Sequence, residues 1–221
     1  MTKKSEPARL RYDEGCLAAH ALNQIGDRWA LLVVRELMFT AKRFQMIRAG
    51  VPGVTAGVLT ARLIQLQAAG VVAHDRALGL YALTDAGRAL LPVLEALCRW
   101  ALLVPGHDPS RFISPTALMI SMGVTFQPAA AEGRTARAGF DFGREAFEMR
   151  LLDGRLRTEP AELPDAPFVL AGDGGAMARA VYGSTPVADL ARKGAIDARG
   201  DLAAAQDFVD LFRLAPQPTI D

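Results

Sequence analysis

Basic and hydroxyl side chains in the first third of the chain could bind a phosphate backbone. Guanidinium groups neutralise phosphates, and hydroxyl groups and helix N-terminal amides donate hydrogen bonds to them. Thr55 and Thr60 lie near the start of a predicted helix, and Arg62 follows on the same helix. Each arginine has a plain alternative as a surface charge, and Arg62 could instead pair with Glu36. The candidates for nucleic-acid contact are Arg28, Lys42, Arg43, Thr55, Gly57, Thr60, Arg62, His74 and Arg76.

Side chains that support catalysis are sparse. The three histidines are scattered along the chain, which disfavours a metal site. No phosphate-binding loop, dinucleotide fingerprint or Gly-x-Ser-x-Gly motif occurs in the sequence. The glycine-rich run at residues 172–175 follows a predicted strand and is interpreted as a tight turn. We therefore predict no catalytic residue, no metal, no cofactor and no enzymatic activity.

The element that must position the phosphate-binding candidates is a helix over residues 54–70. Leu59, Leu63 and Leu66 share one stripe of that helix, and Thr55 can cap its start. Two short strands around Gly79 follow directly. A helix followed by a small hairpin is typical of a winged helix-turn-helix, which places the helix in a DNA major groove. The alternative is a buried core helix beside an unrelated hairpin.

The segments around this helix resemble the HxlR family of MarR-related transcription regulators over residues 12–103. The resemblance is carried, in order, by GDRWALLVVREL, KRFQMI, VPGVTAGVLTARLIQLQAAGVV and YALTDAGRALLPVLEALCRW. It implies a mainly α-helical winged-helix domain over residues 1–104. It also implies a homodimer, held through the first helix and a helix at 85–103, that binds a pseudo-palindromic site on double-stranded DNA.

The sequence departs from the family at the start of the recognition helix. Ala56, Gly57 and Ala61 are bare where the family usually has polar or basic side chains. This departure weakens the expectation of extensive direct base contacts. Cys16 matches a position at which some family members sense oxidants, so it is a redox candidate. The alternative for Cys16 is burial at the dimer interface.

A second domain is predicted beyond a linker at residues 105–111. Residues 112–221 alternate predicted strands and helices, including a hairpin turn at Asp153-Gly154, and indicate an α+β domain with an antiparallel sheet. The strand and helix order resembles the sterol carrier protein type 2-like fold, which implies an apolar tunnel for a hydrophobic ligand. The candidate pocket residues are Phe140, Phe142, Phe147, Met149, Phe168, Phe208 and Phe212. The alternative is that these side chains form an ordinary closed core.

Composition and charge agree with a globular protein that can approach DNA at one end. The chain has 51% hydrophobic and 22% charged residues, and no apolar run reaches membrane-spanning length. Residues 1–110 carry 13 Lys+Arg against 9 Asp+Glu, a net +4, whereas the remainder is net −3. We predict a cytoplasmic, homodimeric DNA-binding regulator without a membrane partner, controlled by a hydrophobic small molecule or by cysteine oxidation. The alternative is a ligand carrier whose degenerate winged helix serves only for dimerisation.

Overall fold

A computed structural model describes residues 11–214 of the chain. Its helices are α1 (Leu17–Ile25), α2 (Ala30–Glu36), α3 (Phe44–Gly50), α4 (Ala56–Ala68), α5 (Asp85–Arg88), α6 (Leu91–Ala101), α7 (Pro115–Thr125), α8 (Gly174–Tyr182), α9 (Val187–Arg192) and α10 (Leu202–Val209). Its strands are β1 (Lys42–Arg43), β2 (Val72–Asp75), β3 (Leu80–Leu83), β4 (Ala136–Asp141), β5 (Ala146–Leu152), β6 (Arg155–Ala161), β7 (Phe168–Ala171) and β8 (Asp197–Gly200). No helix within residues 11–214 is long and apolar enough to cross a bilayer.

The first half of the chain is a winged helix-turn-helix built on α4. Leu59, Leu63 and Leu66 are at most 1% exposed, which confirms the predicted leucine stripe as the face of α4 that packs on the core. The Thr55 side chain accepts a hydrogen bond from the Val58 amide and caps the helix, as predicted. The hairpin β2–β3 follows α4, and β1 pairs with β3 to complete a three-stranded sheet of order β1-β3-β2.

Two helices of the first half differ from their predicted bounds. The predicted helix over residues 85–103 divides into α5 and α6. Pro92 lies in the first turn of α6, where its missing N–H group costs nothing, and this position marks a new helix start. The run Lys42-Arg43-Phe44 predicts a helix that begins at Lys42, whereas Lys42 and Arg43 lie in β1, where they pair with Tyr81 and Leu80, and α3 begins at Phe44.

The second half of the chain contains a five-stranded sheet of order β6-β5-β4-β7-β8. The hairpin predicted at Asp153-Gly154 is confirmed, and both residues have positive φ, 50° and 70°, as a type I′ turn requires. Three of the four strand pairs are antiparallel, as predicted, but β7 returns beside β4 and pairs with it in parallel, so the predicted antiparallel sheet is a mixed one. Helix α9 was not predicted.

The aromatic side chains of the second half form a packed core beneath α10. Phe140, Phe168 and Phe212 contact Phe208 of α10 with ring centroids 6.3, 5.9 and 5.4 Å apart. Phe140, Phe147, Met149, Phe168, Phe208 and Phe212 are at most 3% exposed, and only Phe142 is half-buried. The prediction of an apolar pocket lined by these side chains is therefore wrong, because α10 packs directly onto the sheet.

The cores of the two halves meet at α7. Ile120 of α7 is 4% exposed and packs with the core of the winged helix, whereas Leu118 and Met122 belong to the core of the second half. Phe39 packs against both cores. The first helix after the predicted linker therefore contributes to both hydrophobic cores.

Candidate nucleic-acid interface

The outer face of α4 is exposed and almost free of polar groups. Ala56, Gly57 and Ala61 are exposed, which agrees with the bare surface expected from the sequence. Two larger apolar side chains share the exposed part of α4, since Val58 is 37% exposed and Ile64 is 61% exposed. A helix with this surface can contact thymine methyl groups and can approach DNA closely, but it offers few groups for hydrogen bonds to bases.

The two threonines at the start of α4 are already engaged in local hydrogen bonds. The Thr55 hydroxyl accepts from the Val58 amide at 3.3 Å. The Thr60 hydroxyl donates to the Ala56 carbonyl at 2.9 Å. Both side chains are exposed, so the hydroxyl oxygen of Thr60 faces solvent-accessible space as an acceptor. The first turn of α4 thus presents capped amides and hydroxyl groups at one exposed end.

Arg62 packs against a neighbouring helix-turn instead of pointing outward. Its guanidinium forms an ion pair with Asp27 at 2.8 Å and also contacts Gln65. The side chain of Arg62 is only 12% exposed. The carboxylate that pairs with Arg62 is therefore that of Asp27, and not that of Glu36, which the sequence analysis gave as an alternative to DNA contact. The Arg62–Asp27 pair secures α4 to the turn that precedes α2.

The wing brings two basic candidates into exposed positions. Arg76 is exposed in the turn between β2 and β3, and Arg43 is exposed on β1. A side chain at Gly79 would lie 3.7 Å from Nη1 of Arg43, so the guanidinium lies beside the wing turn. His74 is half-buried and stacks on Tyr81 with ring centroids 4.1 Å apart. Within residues 11–214 neither Arg43 nor Arg76 forms an ion pair, so both charges are available to phosphates.

Arg28 lies at the other side of the helix-turn-helix. Its guanidinium carbon lies 5.5 Å from the centre of the Trp29 ring, within the range of a cation–π contact. Trp29 also packs toward the turn at Gly53 that precedes α4. Arg28 is exposed and is positioned by an aromatic side chain of the same helix-turn-helix.

Lys42 cannot contact DNA because it is buried. Its side chain is 1% exposed, and its ammonium group lies 3.3 Å from Oε2 of Glu36 and forms a second ion pair with Glu145. It also donates a hydrogen bond to Thr116 Oγ1 at 2.9 Å. The prediction of Lys42 as a DNA contact is therefore wrong. The physical reason is that the carboxylates of Glu36 and Glu145 compensate the charge of Lys42 inside the protein. The basic residue that follows Lys42 in the sequence had suggested a position on the surface.

The buried ion cluster joins the winged helix to the second half of the chain. Ser114 donates to Oε1 of Glu36 at 2.6 Å and also caps α7. Arg35 donates to the same Glu36 oxygen and to the Gly50 carbonyl at 2.7 Å. We define this ion cluster by Arg35, Glu36, Lys42, Ser114, Thr116 and Glu145. Sequence reasoning missed the cluster, and the one signal for it was the tight succession of Arg35-Glu36 and Lys42-Arg43.

Exposed apolar side chains mark two helices of the first half. On α1, Leu17 is 86% exposed and Leu22 is 50% exposed. On α6, Leu97 and Trp100 are 45% and 61% exposed, and Val93 at 41% extends the same stripe. Exposed apolar patches of this kind are typical of protein–protein contacts. These are the two helices that the sequence analysis assigned to a dimer interface.

The two cysteines occupy opposite environments. Cys16 is exposed at the N-cap of α1 in the single chain. Hydrogen bonding from the amides of Ala19 and Ala18 lowers the pKa of the Cys16 thiol. Burial raises the pKa of the Cys98 thiol on α6. Within the part of the chain that is described, no cluster of His, Cys, Asp or Glu side chains could hold a metal ion.

Comparison with known proteins places the first half among bacterial and archaeal regulators. The family model described as HxlR-like helix-turn-helix matches residues 24–106. An uncharacterized HTH-type transcriptional regulator of Methanothermobacter thermautotrophicus is 31% identical over 98 residues, which span 42% of this chain and 75% of that protein. The HTH-type regulator YvaP of Bacillus subtilis is 36% identical over 86 residues, 37% of this chain and 80% of that protein. The solved structure of quinone-bound YodB from B. subtilis is 31% identical, covers 38% of this chain and 93% of its own, and superposes with a TM-score of 0.36.

Proposed function

We propose that the protein binds a pseudo-palindromic operator as a homodimer. The premise is that the chain belongs to the HxlR-like helix-turn-helix family of transcriptional regulators. The observation that carries this proposal is the placement of two exposed arginines at the β2–β3 wing that follows α4. Arg76 lies in the turn of the wing, and Arg43 lies beside that turn on β1. Neither forms an ion pair within residues 11–214. With α4 in a major groove, the two arginines would contact phosphates on either side of that groove. A transcriptional regulator must reach the DNA that it binds, so a cytoplasmic location is part of this proposal.

The exposed surface of α4 favours recognition by shape and apolar contact over direct hydrogen bonds to bases. Ile64, Val58 and the small residues around Ala61 can pack on thymine methyl groups. The arginines of the wing and Arg28 supply the phosphate contacts, and an arginine beside the minor groove reads its width. We therefore propose an A·T-rich operator whose affinity depends strongly on salt.

The dimer is supported by the unpartnered apolar faces of α1 and α6. Trp100 follows Leu97 by three positions and Val93 precedes Leu97 by four, so the three side chains form one stripe along α6. A two-fold axis along this stripe would place two copies of α4 about one DNA turn apart. The oxidant-sensing role of Cys16 is a further part of this proposal, supported by its exposure beside Leu17 on α1.

The second half of the chain is proposed as a sensing domain. Its sheet order and terminal helix support the resemblance of residues 112–214 to the sterol carrier protein type 2-like fold. The ion cluster and α7 provide the physical connection through which such a domain could bias the geometry of the winged helix. The domain bounds 1–104, 105–111 and 112–221 stay part of the proposal.

The experiment is an anisotropy titration of the full chain with its own promoter fragment over a series of salt concentrations. Arg43→Ala and Arg76→Ala should each weaken binding and reduce the slope of log affinity against log salt by about 1 per protomer. Arg155→Ala is the matched control, because Arg155 is exposed on the edge strand β6 of the second half. Absence of any specific binding at low salt would overturn the proposal. Binding that neither arginine variant weakens would favour the ligand carrier instead.

A further inference from the structure

A cavity of about 300 Å³ lies between the winged helix and the second half of the chain. One wall comes from α2 and α6, including Arg35 and Cys98, and the other comes from α7 and α8, including Ile120 and Tyr182. The segment that connects the two halves also lines the cavity, with His107, Asp108 and Arg111. The cavity is distinct from the phenylalanine core, where a ligand pocket was expected.

The lining of the cavity is mostly apolar and includes two arginines. Leu94 and Ile120 are buried in its wall, and Phe112 is 62% exposed at its mouth. Two arginines, Arg35 and Arg111, line it, while the only carboxylate among its lining residues, Asp108, is paired with Arg111 at 3.2 Å. This combination suits a molecule with an apolar body and one anionic end.

Arg35 is the cation best placed to hold the anionic end. Its hydrogen bonds to Glu36 and Gly50 use Nε and Nη2, so Nη1 makes no hydrogen bond to residues 11–214. The side chain is 21% exposed, and the buried carboxylate of Glu36 holds it in place. A guanidinium fixed in this way loses little conformational entropy when it binds a carboxylate.

We infer that this interdomain cavity binds small amphipathic monocarboxylates, with the carboxylate at Arg35 and the apolar body between α6 and α7. A cavity of this volume is at the lower end of the range for small-molecule sites, which limits the ligand to roughly a dozen non-hydrogen atoms.

The regulatory meaning of the site rests on the proposed DNA-binding function, whereas the binding itself does not. Arg35 holds Glu36, and Glu36 pairs with Lys42, which is next to Arg43 of the wing. A carboxylate at Nη1 of Arg35 would add a second anion to the guanidinium that Glu36 already uses through Nε and Nη2. It would thereby weaken the Arg35–Glu36 contact and change the ion pair of Glu36 with Lys42 in β1. The effect on DNA affinity is limited to the difference in ligand affinity between the free and DNA-bound geometries.

The test uses 4-phenylbutyrate as the probe and 4-phenylbutan-1-ol as its neutral counterpart, measured by calorimetry on the full chain without DNA. We expect the acid to bind at least tenfold more tightly than the alcohol. Ala101→Trp, which places a large ring at the cavity wall, should abolish binding. Ala203→Trp on the exposed side of α10 is the control and should leave binding unchanged. Equal binding of acid and alcohol, or binding that Ala101→Trp does not alter, would overturn the inference.

Cys98 provides an independent readout inside the same cavity. In a Cys16→Ser background, Cys98 is the remaining thiol, and alkylation by N-ethylmaleimide reports access to the cavity. A probe concentration of about ten times the dissociation constant should slow the reaction about tenfold. An unchanged rate contradicts the inference. Arg43→Ala should retain this protection, so a failure of DNA binding and a failure of ligand binding are distinguished.

Discussion

Lys42 carries its charge inside the protein between two carboxylates. Replacing Lys42 with methionine keeps most of the length of the side chain but leaves Glu36 and Glu145 without their shared cation. We expect Lys42→Met to lower the free energy of unfolding by about 3–5 kcal/mol, because removing one partner of a buried ion pair leaves uncompensated charge. Urea unfolding followed by circular dichroism measures the change.

Two further variants test that explanation of Lys42. Lys193→Met, at an exposed lysine after α9, should change the free energy of unfolding by less than about 0.5 kcal/mol. Adding Glu145→Gln to Lys42→Met should restore part of the loss, because one of the two buried charges is removed. A Lys42→Met protein as stable as the parent would show that the cluster is not a net source of stability.

The contrast between the two thiols predicts their reaction with iodoacetamide as pH rises. The thiolate is the reactive form, so a lowered pKa moves the rate profile of Cys16 below the ordinary midpoint of about pH 8.5. Burial raises the pKa of Cys98, so its profile should lie above that midpoint and its rate should be slower throughout. Mass spectrometry on Cys98→Ser and Cys16→Ser variants separates the two curves. Superimposed profiles would contradict the assignment.

At the scale of single elements, replacing either of two glycines with alanine should change the stability of the protein, in opposite directions. Gly123 is exposed in the interior of α7, and a Cβ there would meet no neighbour within 4 Å. Gly123→Ala should therefore stabilise the protein by about 0.5–1 kcal/mol. Gly154 has φ of 70° in the β5–β6 turn, so Gly154→Ala should destabilise it by about 1 kcal/mol. Thermal unfolding of both variants provides the measurement, and a shift of the same sign in both would be inconsistent with these backbone arguments.

The sheet of the second half contains a carboxylate whose protonation should limit stability in acid. The Asp165 amide donates to Glu148 at 2.8 Å, and this hydrogen bond lowers the pKa of the Glu148 carboxyl, with Arg150 and Arg137 adding to the effect. A lowered folded-state pKa means that the contribution to stability is complete above the unfolded value of about 4.3 and is lost as pH falls through the folded value.

The corresponding variant is Glu148→Gln. We expect it to be about 1–2 kcal/mol less stable than the parent near neutral pH, because it replaces a charge-assisted hydrogen bond. This difference should shrink as pH falls through the lowered folded-state pKa of Glu148, because the parent carboxylate becomes protonated there. Glu162→Gln at an exposed position is the control. Urea midpoints measured across this pH range decide the matter, and a difference independent of pH would contradict the predicted linkage.

For the whole molecule, the apolar stripe on α6 predicts that assembly can be disrupted from outside the DNA-binding surface. Leu97→Glu should convert a dimer to a monomer in sedimentation equilibrium and weaken operator binding at least tenfold, because the exposed leucine would lie in the interface. Leu163→Glu, at a leucine that is 75% exposed in the second half, should change neither. Circular dichroism of Leu97→Glu should stay that of the parent, and a parent protein that is already monomeric would contradict the prediction.

The features that sequence analysis predicted are those set by local spacing. The leucine stripe of α4, the Thr55 cap and the Asp153-Gly154 hairpin each depend on residues a few positions apart, and all three are confirmed. The parallel pairing of β4 with β7 and the burial of Lys42 depend on distant segments, since Thr116 lies 74 residues beyond its partner. The ion pair of Arg62 with Asp27 was not predicted for the same reason, because it depends on how α4 packs on the turn before α2.

The ion cluster and Ile120 have a consequence for anyone who would transplant the winged helix as a module. The family match ends at residue 106, which suggests a natural place to cut. A fragment ending there would lose Ile120 from its core and would expose Glu36 and Lys42 to water without Ser114, Thr116 and Glu145. Grafts onto other sensor domains should therefore carry α7 with them, so that the transferable unit ends near Thr125.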